Sequence, residues 1–553
     1  MYKKFFILMF TLLNNALDAS QSSWAEQTLK KMSLQEKIGQ LFIVTAVTNP
    51  EDTRNEWWYT QKNLGVDKTY VKHLIQKYNI GGVIFLGTGE LKEQVSYTNK
   101  FQDASKVPLF IAQDYEAGTG SRNQNGSLRF PCAMSLGAVQ NPTLIYDVAY
   151  ETGKHCQALG VNINFAPVVD VNNNPNNPVI GFRSFGSQPN TVIEKAIAYT
   201  EGLQNAGIIA CAKHFPGHGD TDLDSHHELP TINHSRERLN EIELAPFKAM
   251  ITEQVKSIMT AHLRIPALDE NITSSLSPKM ITDLLRNEMA FNGLIITDAL
   301  MMRAVSDHYK PGELELKALQ AGNDILLCPT DVSRAVACIE HAIDHGTISE
   351  QELDAHVLRI LKAKEWIFSQ RNWQTHALEN YDQIINSDTA LTLKQKVFEQ
   401  SITAYNFNQE EFTLDDATVI QIGSAPKDAF IQSLPIESKN LFKLSKKPST
   451  DEIETIIEKI DAAKPAIVAL FGMTRDPHKQ FGVSENSLKL INALQEKTTT
   501  IIALFGSPYF LNNLDKATRA LIAYEADPIA QQEVAAILKR TKKAQGILPV
   551  QLH

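Results

Sequence analysis

The sequence predicts an α/β protein in which a (β/α)₈ barrel of the TIM type is followed by a smaller α/β sandwich domain. A length of 553 residues exceeds that of one ordinary domain. Hydrophobic residues at 43% and charged residues at 21% are typical of a globular protein with sizeable cores. The fold class itself rests on repeated apolar runs and on the polar residues at which several of those runs end.

Short apolar runs recur eight times before residue 330. Near-continuous apolar runs that alternate with amphipathic stretches such as SRERLNEIELAPFKAMITE indicate strands buried on both faces of a parallel sheet. Eight such units in about 350 residues fit a barrel with insertions. The runs are QLFIVTA (40–46), GGVIFLG (81–87), PLFIAQD (108–114), VNINFAP (161–167), IIACAKH (208–214), SIMTAHL (257–263), LIITD (294–298) and DILLC (324–328).

Polar residues stand at the C-terminal ends of several runs. In a closed barrel these ends converge on one face, where the active sites of such folds are built. A doubly wound open sheet, which is the alternative, would spread them along a line. The residues are Asp114, Lys213, His214, His262 and Asp298.

The barrel is expected over residues 25–370 and a packed helical linker over 371–414. From 415 to 553, the runs ATVIQIG, PAIVALFG, TTTIIALFG and RALIAYEA predict the sandwich domain, which carries no dinucleotide-binding fingerprint. At the other end, Lys3 and Lys4 precede an apolar run and the small residues of ALDAS, the layout of a secretory signal over residues 1–20. Export to the periplasm or the extracellular space is therefore expected, with an uncleaved anchor as the alternative.

Charge and cysteine spacing exclude some classes of function. The net charge is −10 and no basic block occurs, so nucleic acid is not an expected partner. After removal of the signal, no membrane insertion is expected, and the oligomeric state is left open. The five cysteines lack zinc-like or redox spacing and are expected to be buried thiols.

The stretch KHFPGHGDTDLDSHHELPTI (213–232) concentrates four histidines and three aspartates. A metal site is one alternative, but Pro216, Gly217 and Gly219 argue against the helix that would bring its first two histidines together. A solvated loop is another. Acid–base chemistry is favoured, because a histidine with an ordinary pKa of about 6.5 can donate or accept a proton near neutrality. Asp224, two residues before His226, would orient its ring.

KHFPGHGDTDLDSHHELP resembles the signature of glycoside hydrolase family 3, in its β-N-acetylglucosaminidase branch. The stretches DYEAGTGSR, NFAPVVDVNNNP, GFRSFG, MTAHLRIPALD and GLIITDALMM agree in order. The resemblance covers residues 30–365, and GILPVQL near the C-terminus resembles the second domain of that family. One departure is Ala117, where the usual motif DxEGG has glycine, so the resemblance does not fix the conformation of that substrate loop.

This resemblance implies a retaining exo-β-N-acetylglucosaminidase acting on terminal β-linked N-acetylglucosamine of murein fragments or chitin-type oligosaccharides, without metal or cofactor. It makes Asp298 the nucleophile, His226 the acid/base and Asp224 its carboxylate partner. Residues expected to hold the sugar are Asp114, Arg122, Arg183, Lys213 and His214.

Structural roles are the alternatives to these assignments. Asp298 could cap a helix N-terminus, Arg183 and Lys213 could form structural ion pairs, and His262 could contact substrate or support the site. Loop-organising roles are expected for Asp170, His218 and His227. At the level of function, three alternatives remain: a phosphorylase using the same histidine, a β-glucosidase with an acid/base glutamate from the second domain, and a non-catalytic carbohydrate-binding protein.

Overall fold

The computed structural model describes residues 22–47, 68–87, 89–123, 126–226, 228–370, 375–414 and 416–552. The predicted signal segment and His227 lie outside these described residues.

Eight parallel strands form the first sheet, in the spatial order β7-β6-β5-β4-β3-β2-β1-β8. A parallel bridge between Ile296 and Ile325 joins the two ends, so the barrel is nearly closed. Each predicted run overlaps one strand, which confirms the barrel prediction. The strands are β1 (Phe42–Val47), β2 (Gly82–Leu86), β3 (Phe110–Gln113), β4 (Ile163–Asn164), β5 (Ile209–Phe215), β6 (Ser257–Thr260), β7 (Leu294–Thr297) and β8 (Leu326–Leu327).

Helices surround this sheet and present apolar faces to it. Ser349 and Glu352 form a capping box at the start of one of the longest, and its buried side includes Leu353, Val357 and Ile360. The α-helices are α1 (Trp24–Lys31), α2 (Leu34–Gln40), α3 (Lys68–Tyr78), α4 (Leu91–Ala104), α5 (Ala133–Ala138), α6 (Pro142–Ala158), α7 (Pro189–Asn205), α8 (Arg236–Glu241), α9 (Leu244–Thr252), α10 (Arg303–Ser306), α11 (Glu313–Ala321), α12 (Val332–Asp344) and α13 (Glu350–Ser369), with a π-helix at Lys279–Glu288.

The second sheet has the order β11-β10-β12-β13-β14-β9, in which β9 alone is antiparallel to its neighbour. Four of its strands match predicted runs. Two do not: β11, and β9, which lies inside the range predicted as a linker. The strands are β9 (Thr403–Tyr405), β10 (Thr418–Ile422), β11 (Leu441–Leu444), β12 (Ala466–Leu470), β13 (Thr500–Leu504) and β14 (Arg519–Ile522). The helices after α13 are α14 (Tyr381–Ile385), α15 (Asp388–Ser401), α16 (Ala429–Gln432), α17 (Thr450–Lys459), α18 (Glu485–Lys497) and α19 (Pro528–Leu538).

The two sheets belong to one packed molecule. Cys132, Met134 and Ala138 on and beside α5 join the hydrophobic cluster on one face of the second sheet. The segment near the C-terminus returns to the barrel, where the amide of Ile547 donates to the carbonyl of Ala138 and that of Ser187 donates to the carbonyl of Pro549. The second domain therefore rests against loops and helices at the carboxyl side of the barrel.

The five cysteines are free thiols, and four of them are buried. Within the described ranges, no helix combines the length and apolar character needed to cross a bilayer.

Candidate active site

A polar pocket of about 440 Å³ lies at the carboxyl ends of the barrel strands. Asp114 follows β3, Lys213 and His214 lie near the end of β5, and Asp298 follows β7. These positions converge because parallel strands in a barrel end on one face. All eight predicted site residues line the pocket: Asp114, Arg122, Arg183, Lys213, His214, Asp224, His226 and Asp298.

Asp298 presents an ionised carboxylate to the pocket. Its Oδ1 accepts a hydrogen bond from the amide of Ala299 at 2.8 Å. Burial raises the pKa of Asp298, but the neighbouring His214, His262 and His226 and the hydrogen bond from the amide of Ala299 outweigh burial and lower that pKa to about 2. The helix-cap alternative is not supported, since the next described helix, α10, begins only at Arg303.

Asp224 and His226 form a pair at the pocket rim. Oδ1 of Asp224 lies 2.6 Å from Nδ1 of His226 and accepts the backbone amide of His226 at 2.9 Å. The two side chains are 34% and 32% exposed, so the ring can reach a ligand. Nδ1 faces the carboxylate, so a proton exchanged with a ligand would pass through Nε2 on the other side of the ring.

His218 holds the loop that carries this pair. Its ring nitrogens lie 2.9 Å from Oγ1 of Thr221 and 2.9 Å from Oγ of Ser225. Burial lowers the pKa of His218 to about 4, so the ring is neutral at physiological pH. Its position agrees with the predicted scaffolding role, because Ser225 stands between Asp224 and His226 in the chain.

A network of alternating charges lies deeper in the pocket. Nζ of Lys213 lies 2.8 Å from Asp114 and 2.7 Å from Glu116. Arg122 donates to Asp114 at 2.8 Å, and Arg183 donates to both carboxylate oxygens of Glu116. Burial raises the pKa values of the two carboxyls, but these cations outweigh it and lower both.

Asp170 fixes the orientation of His214. Its Oδ2 lies 2.7 Å from Nδ1 of His214, and its Oδ1 accepts the amides of His214 and His218. Nη2 of Arg183 lies 3.3 Å from Nε2 of His214. A ring that donates from Nδ1 to Asp170 and accepts at Nε2 from Arg183 satisfies both contacts.

His262 is a supporting residue and does not line the pocket. Nδ1 lies 2.7 Å from Oγ of Ser275, and Nε2 lies 3.2 Å from the carbonyl of Ala299, next to Asp298. Burial lowers the pKa of His262. Of the two predicted alternatives, contact or support, the geometry favours support.

Two residues at the site were missed in the sequence. Glu116 lies in the quoted stretch DYEAGTGSR, two positions after Asp114, and in extended backbone that spacing places two side chains on one side. Arg475 belongs to the second domain and also lines the pocket; no signal in the sequence places it there.

The metal alternative finds no support in the described ranges, where no cluster of three or more His, Cys, Asp or Glu side chains is arranged to hold an ion. His214 and His218 are instead committed to Asp170 and to hydroxyl groups.

Residues 33–363 match the Glycosyl hydrolase family 3 N terminal domain. The chain is 36% identical to Beta-hexosaminidase A of Pseudoalteromonas piscicida over 326 residues, which are 53% of this chain and 54% of that protein. It is 33% identical to Beta-hexosaminidase LpqI of Mycobacterium tuberculosis (strain ATCC 25618 / H37Rv), over 54% of this chain and 79% of that one. The aligned part thus spans about half the length of the Pseudoalteromonas relative.

A solved structure extends the similarity across both domains. It is that of a glycoside hydrolase family 3 beta-N-acetylglucosaminidase from Paenibacillus sp. str. FPU-7, with a TM-score of 0.76 and 31% sequence identity. The superposition covers 94% of this chain and 99% of that one.

Proposed function

The chain belongs to glycosyl hydrolase family 3, and from that premise we propose that it is a retaining exo-β-N-acetylglucosaminidase. The single observation that carries the proposal is an ionised Asp298 in the same pocket as the Asp224–His226 pair. Relatives described as beta-hexosaminidases support the sugar specificity. We further propose Asp298 as nucleophile, His226 as acid/base and Asp224 as its positioning partner.

In the first step, a carboxylate oxygen of Asp298 attacks the anomeric carbon, and the bond to the leaving oxygen breaks. Protonated His226 gives its Nε2 proton to that oxygen, so the leaving group departs as an alcohol. Asp224 stabilises the imidazolium before transfer and keeps Nδ1 protonated afterwards. The product of this step is a glycosyl ester of Asp298 and a neutral imidazole.

In the second step, neutral His226 removes a proton from water, whose oxygen attacks the same carbon. Asp298 leaves as a carboxylate and His226 regains its proton. Two inversions at one carbon retain the β configuration. Most glycosidases use two carboxyl groups for these roles, and here a histidine takes the second.

The deep charge network is proposed to bind the terminal sugar. Asp114, held by Lys213 and Arg122, offers acceptors to hydroxyl groups, while Arg183 and His214 offer polar contacts for the acetamido group. The intervening Glu116 fixes Arg183 and Lys213 so that they lose little entropy when the sugar binds. No step requires a metal or an organic cofactor.

The natural substrates are proposed to be murein fragments or chitin-type oligosaccharides that end in β-linked N-acetylglucosamine. Such substrates agree with the predicted secretory signal, which lies outside the described residues. Export to the periplasm or the extracellular space therefore remains a proposal.

Matched nitrophenyl β-glycosides test the proposal. Polar groups left unpaired by the wrong sugar cost about 1–3 kcal/mol each, so the plain glucoside should have a kcat/KM at least about tenfold lower than the acetamido-glucoside. Proton NMR of the first product should show the β anomer of the free sugar, with or without phosphate. Equal kcat/KM on the two glycosides, an α product, or a sugar phosphate would contradict it.

A further inference from the structure

The carboxyl ends of the strands in the second sheet face the barrel, and the loops after three neighbouring strands each place one residue against it. Tyr509, after β13, donates its hydroxyl to the carbonyl of Asn172 at 2.5 Å. Glu525, after β14, accepts the amide of Cys132 at 2.7 Å and also pairs with Arg129. These two contacts anchor the second sheet to the barrel loops.

Arg475, after β12, is the third residue, and it lines the pocket rather than anchoring the sheet to a barrel loop. It lies in an exposed loop and lines the pocket together with Phe182, Asp224 and His226. Its guanidinium carbon lies over the Phe182 ring, 6.0 Å from the ring centroid, at the outer limit of a cation–π contact. The second domain therefore contributes a positively charged side chain to the pocket of the barrel.

Arg475 differs from the other cations around the pocket in how its positive charge is paired. Arg122, Arg129, Arg183 and Lys213 each pair with a carboxylate. Across the described ranges, Arg475 has no carboxylate within 4.0 Å. The carboxylate next to it in the chain, Asp476, pairs with Lys479 at 3.1 Å.

The exposure of Arg475 places its charge at the pocket rim, on the side of the leaving group. Lys213 and His214 are buried in the interior, whereas Arg475 is exposed and Asp224 and His226 are about one-third exposed at the rim. His226 is the proposed donor to the leaving oxygen, so the rim is where the leaving group lies. When His226 is protonated, its pair with Asp224 is neutral, which leaves Arg475 to set the sign of the charge there.

We propose that Arg475 is a specificity-determining residue that receives an anionic group, a carboxylate, on the sugar next to the scissile bond. This inference rests on the proposed function and deepens it, because it gives the second domain a part in substrate choice. A planar guanidinium held on an aromatic ring matches a carboxylate with two parallel hydrogen bonds.

The test uses the full chain and one pair of substrates that differ only in charge. N-acetylglucosamine β-1,4-linked to N-acetylmuramic acid carries a lactyl carboxylate on the leaving sugar, and its methyl ester has nearly the same shape without the charge. Arg475→Gln should lower kcat/KM on the acid by about 5- to 30-fold, the range of a partly solvated charge-assisted contact, and by less than about twofold on the ester. Arg475→Lys should lose less on the acid than Arg475→Gln does.

Arg519→Gln is the matched control, since Arg519 is exposed at the amino-terminal end of β14, opposite the carboxyl ends of the strands in the same sheet. It should leave both substrates unaffected. In the wild type, the preference for the acid should fall between low and high salt, because a rim contact is screened. Equal losses on acid and ester in Arg475→Gln, no loss on either, or a wild type without preference for the acid would overturn the inference.

Failure of the proposed function would look different. The nitrophenyl acetamido-glucoside carries no carboxylate, so wild type and Arg475→Gln should hydrolyse it about equally. A wild type inactive on this substrate would remove the proposed function itself, whereas an active one confines any negative result to Arg475.

Discussion

Asp298 keeps its charge in a pocket where burial alone would neutralise it. The surrounding histidines lower its pKa to about 2, so the carboxylate is ionised throughout the working pH range. Asp298→Asn removes the proposed nucleophile with almost no change in shape, and kcat should fall by at least about a thousandfold while the melting temperature changes little. Asp283→Asn, at an exposed aspartate on the π-helix, is the control.

A 2-fluoro sugar inactivator provides the direct measurement for Asp298. Peptide mass mapping should place the covalent label on this residue, because the fluorine slows both steps while the activated leaving group of the inactivator restores only the formation of the glycosyl ester. A label on another carboxylate, or full activity in Asp298→Asn, would refute the assignment.

His226 should matter most where the leaving group needs a proton. A nitrophenolate leaves unaided, whereas a sugar alkoxide does not, and general acid catalysis contributes about 10²–10⁴-fold. His226→Ala should therefore lose far more on a natural disaccharide than in the first step with a nitrophenyl glycoside. Water also loses its base, so a burst of nitrophenol followed by slow turnover is expected, with azide restoring turnover as a β-glycosyl azide.

Asp224→Ala should show a milder version of the same kinetics, because Asp224 orients the ring through a 2.6 Å contact and transfers no proton to substrate. Equal losses on both substrates in His226→Ala, without burst or azide rescue, would move the acid/base role elsewhere. Glu525 is a poor replacement, since it is committed to Arg129 and to the amide of Cys132.

Buried parallel strands were predictable from the sequence, and edge strands were not. All eight barrel strands and the four inner strands of the second sheet lie in near-continuous apolar runs, since both faces of each are covered. At the edges, β11 reads LFKL with an exposed Lys443, and β9 is three residues long, so neither leaves an apolar run.

The same distinction applies to the site. Residues at strand ends converge by geometry, so the order of residues along the chain is enough to place Asp114, Lys213 and Asp298 together. It is not enough for Arg475, because the position of that residue depends on how the second domain docks. Docking is fixed by contacts far apart in the chain, such as Tyr509 with Asn172.

Helix α6 contains a buried titratable group that should make stability depend on pH. His155 is fully buried, stacks on Phe130, and its ring nitrogens have no hydrogen-bond partner within the described chain. Burial lowers the pKa of His155 to about 3. One carboxylate oxygen of Glu151 lies 3.8 Å from Nε2 of His155, beyond hydrogen-bond distance, and the other lies 2.7 Å from Nζ of Lys154.

The unfolded chain takes up this proton near pH 6.5 and the folded chain only near pH 3. Between these values, the unfolded state binds more protons, so the free energy of unfolding should fall as pH falls, by at most about 1.4 kcal/mol per pH unit from this group. His155→Leu should flatten that slope in urea titrations between pH 6.5 and 4, relative to a control at the exposed His345. If His155→Leu had the same slope as the wild type, His155 would already be protonated in the folded chain, and burial would not lower its pKa.

Contacts of several kinds hold the second domain on the barrel. Apolar side chains near α5 join the core of the second sheet. The segment around Pro549 also passes directly over Gly186, where a Cβ would lie 2.5 Å from the carbonyl oxygen of Pro549. The GILPVQL motif is therefore explained by close backbone contact with the barrel.

The Arg129–Glu525 ion pair is the charged part of this interface, and it should couple the unfolding of the two domains. Glu525 is 13% exposed and Arg129 35% exposed, so the pair is partly shielded from solvent. Glu525→Gln keeps the shape, weakens the bond from the amide of Cys132 and leaves Arg129 without its countercharge. Because water still reaches Arg129, we expect a loss of about 1–3 kcal/mol in the free energy of unfolding, below the cost of a fully buried broken pair.

Calorimetry should show a lower melting temperature and a broader or divided transition, since the second domain would separate before the barrel unfolds. Glu485→Gln, in the first turn of α18, supplies the control and should leave a single transition unchanged. Activity on the acidic disaccharide should fall more than activity on the nitrophenyl glycoside, because a loosened second domain carries Arg475 away from the rim. If Glu525→Gln melted like the wild type and kept its activity on both substrates, the ion pair would have no part in holding the domain, and the apolar contacts around α5 would account for the docking.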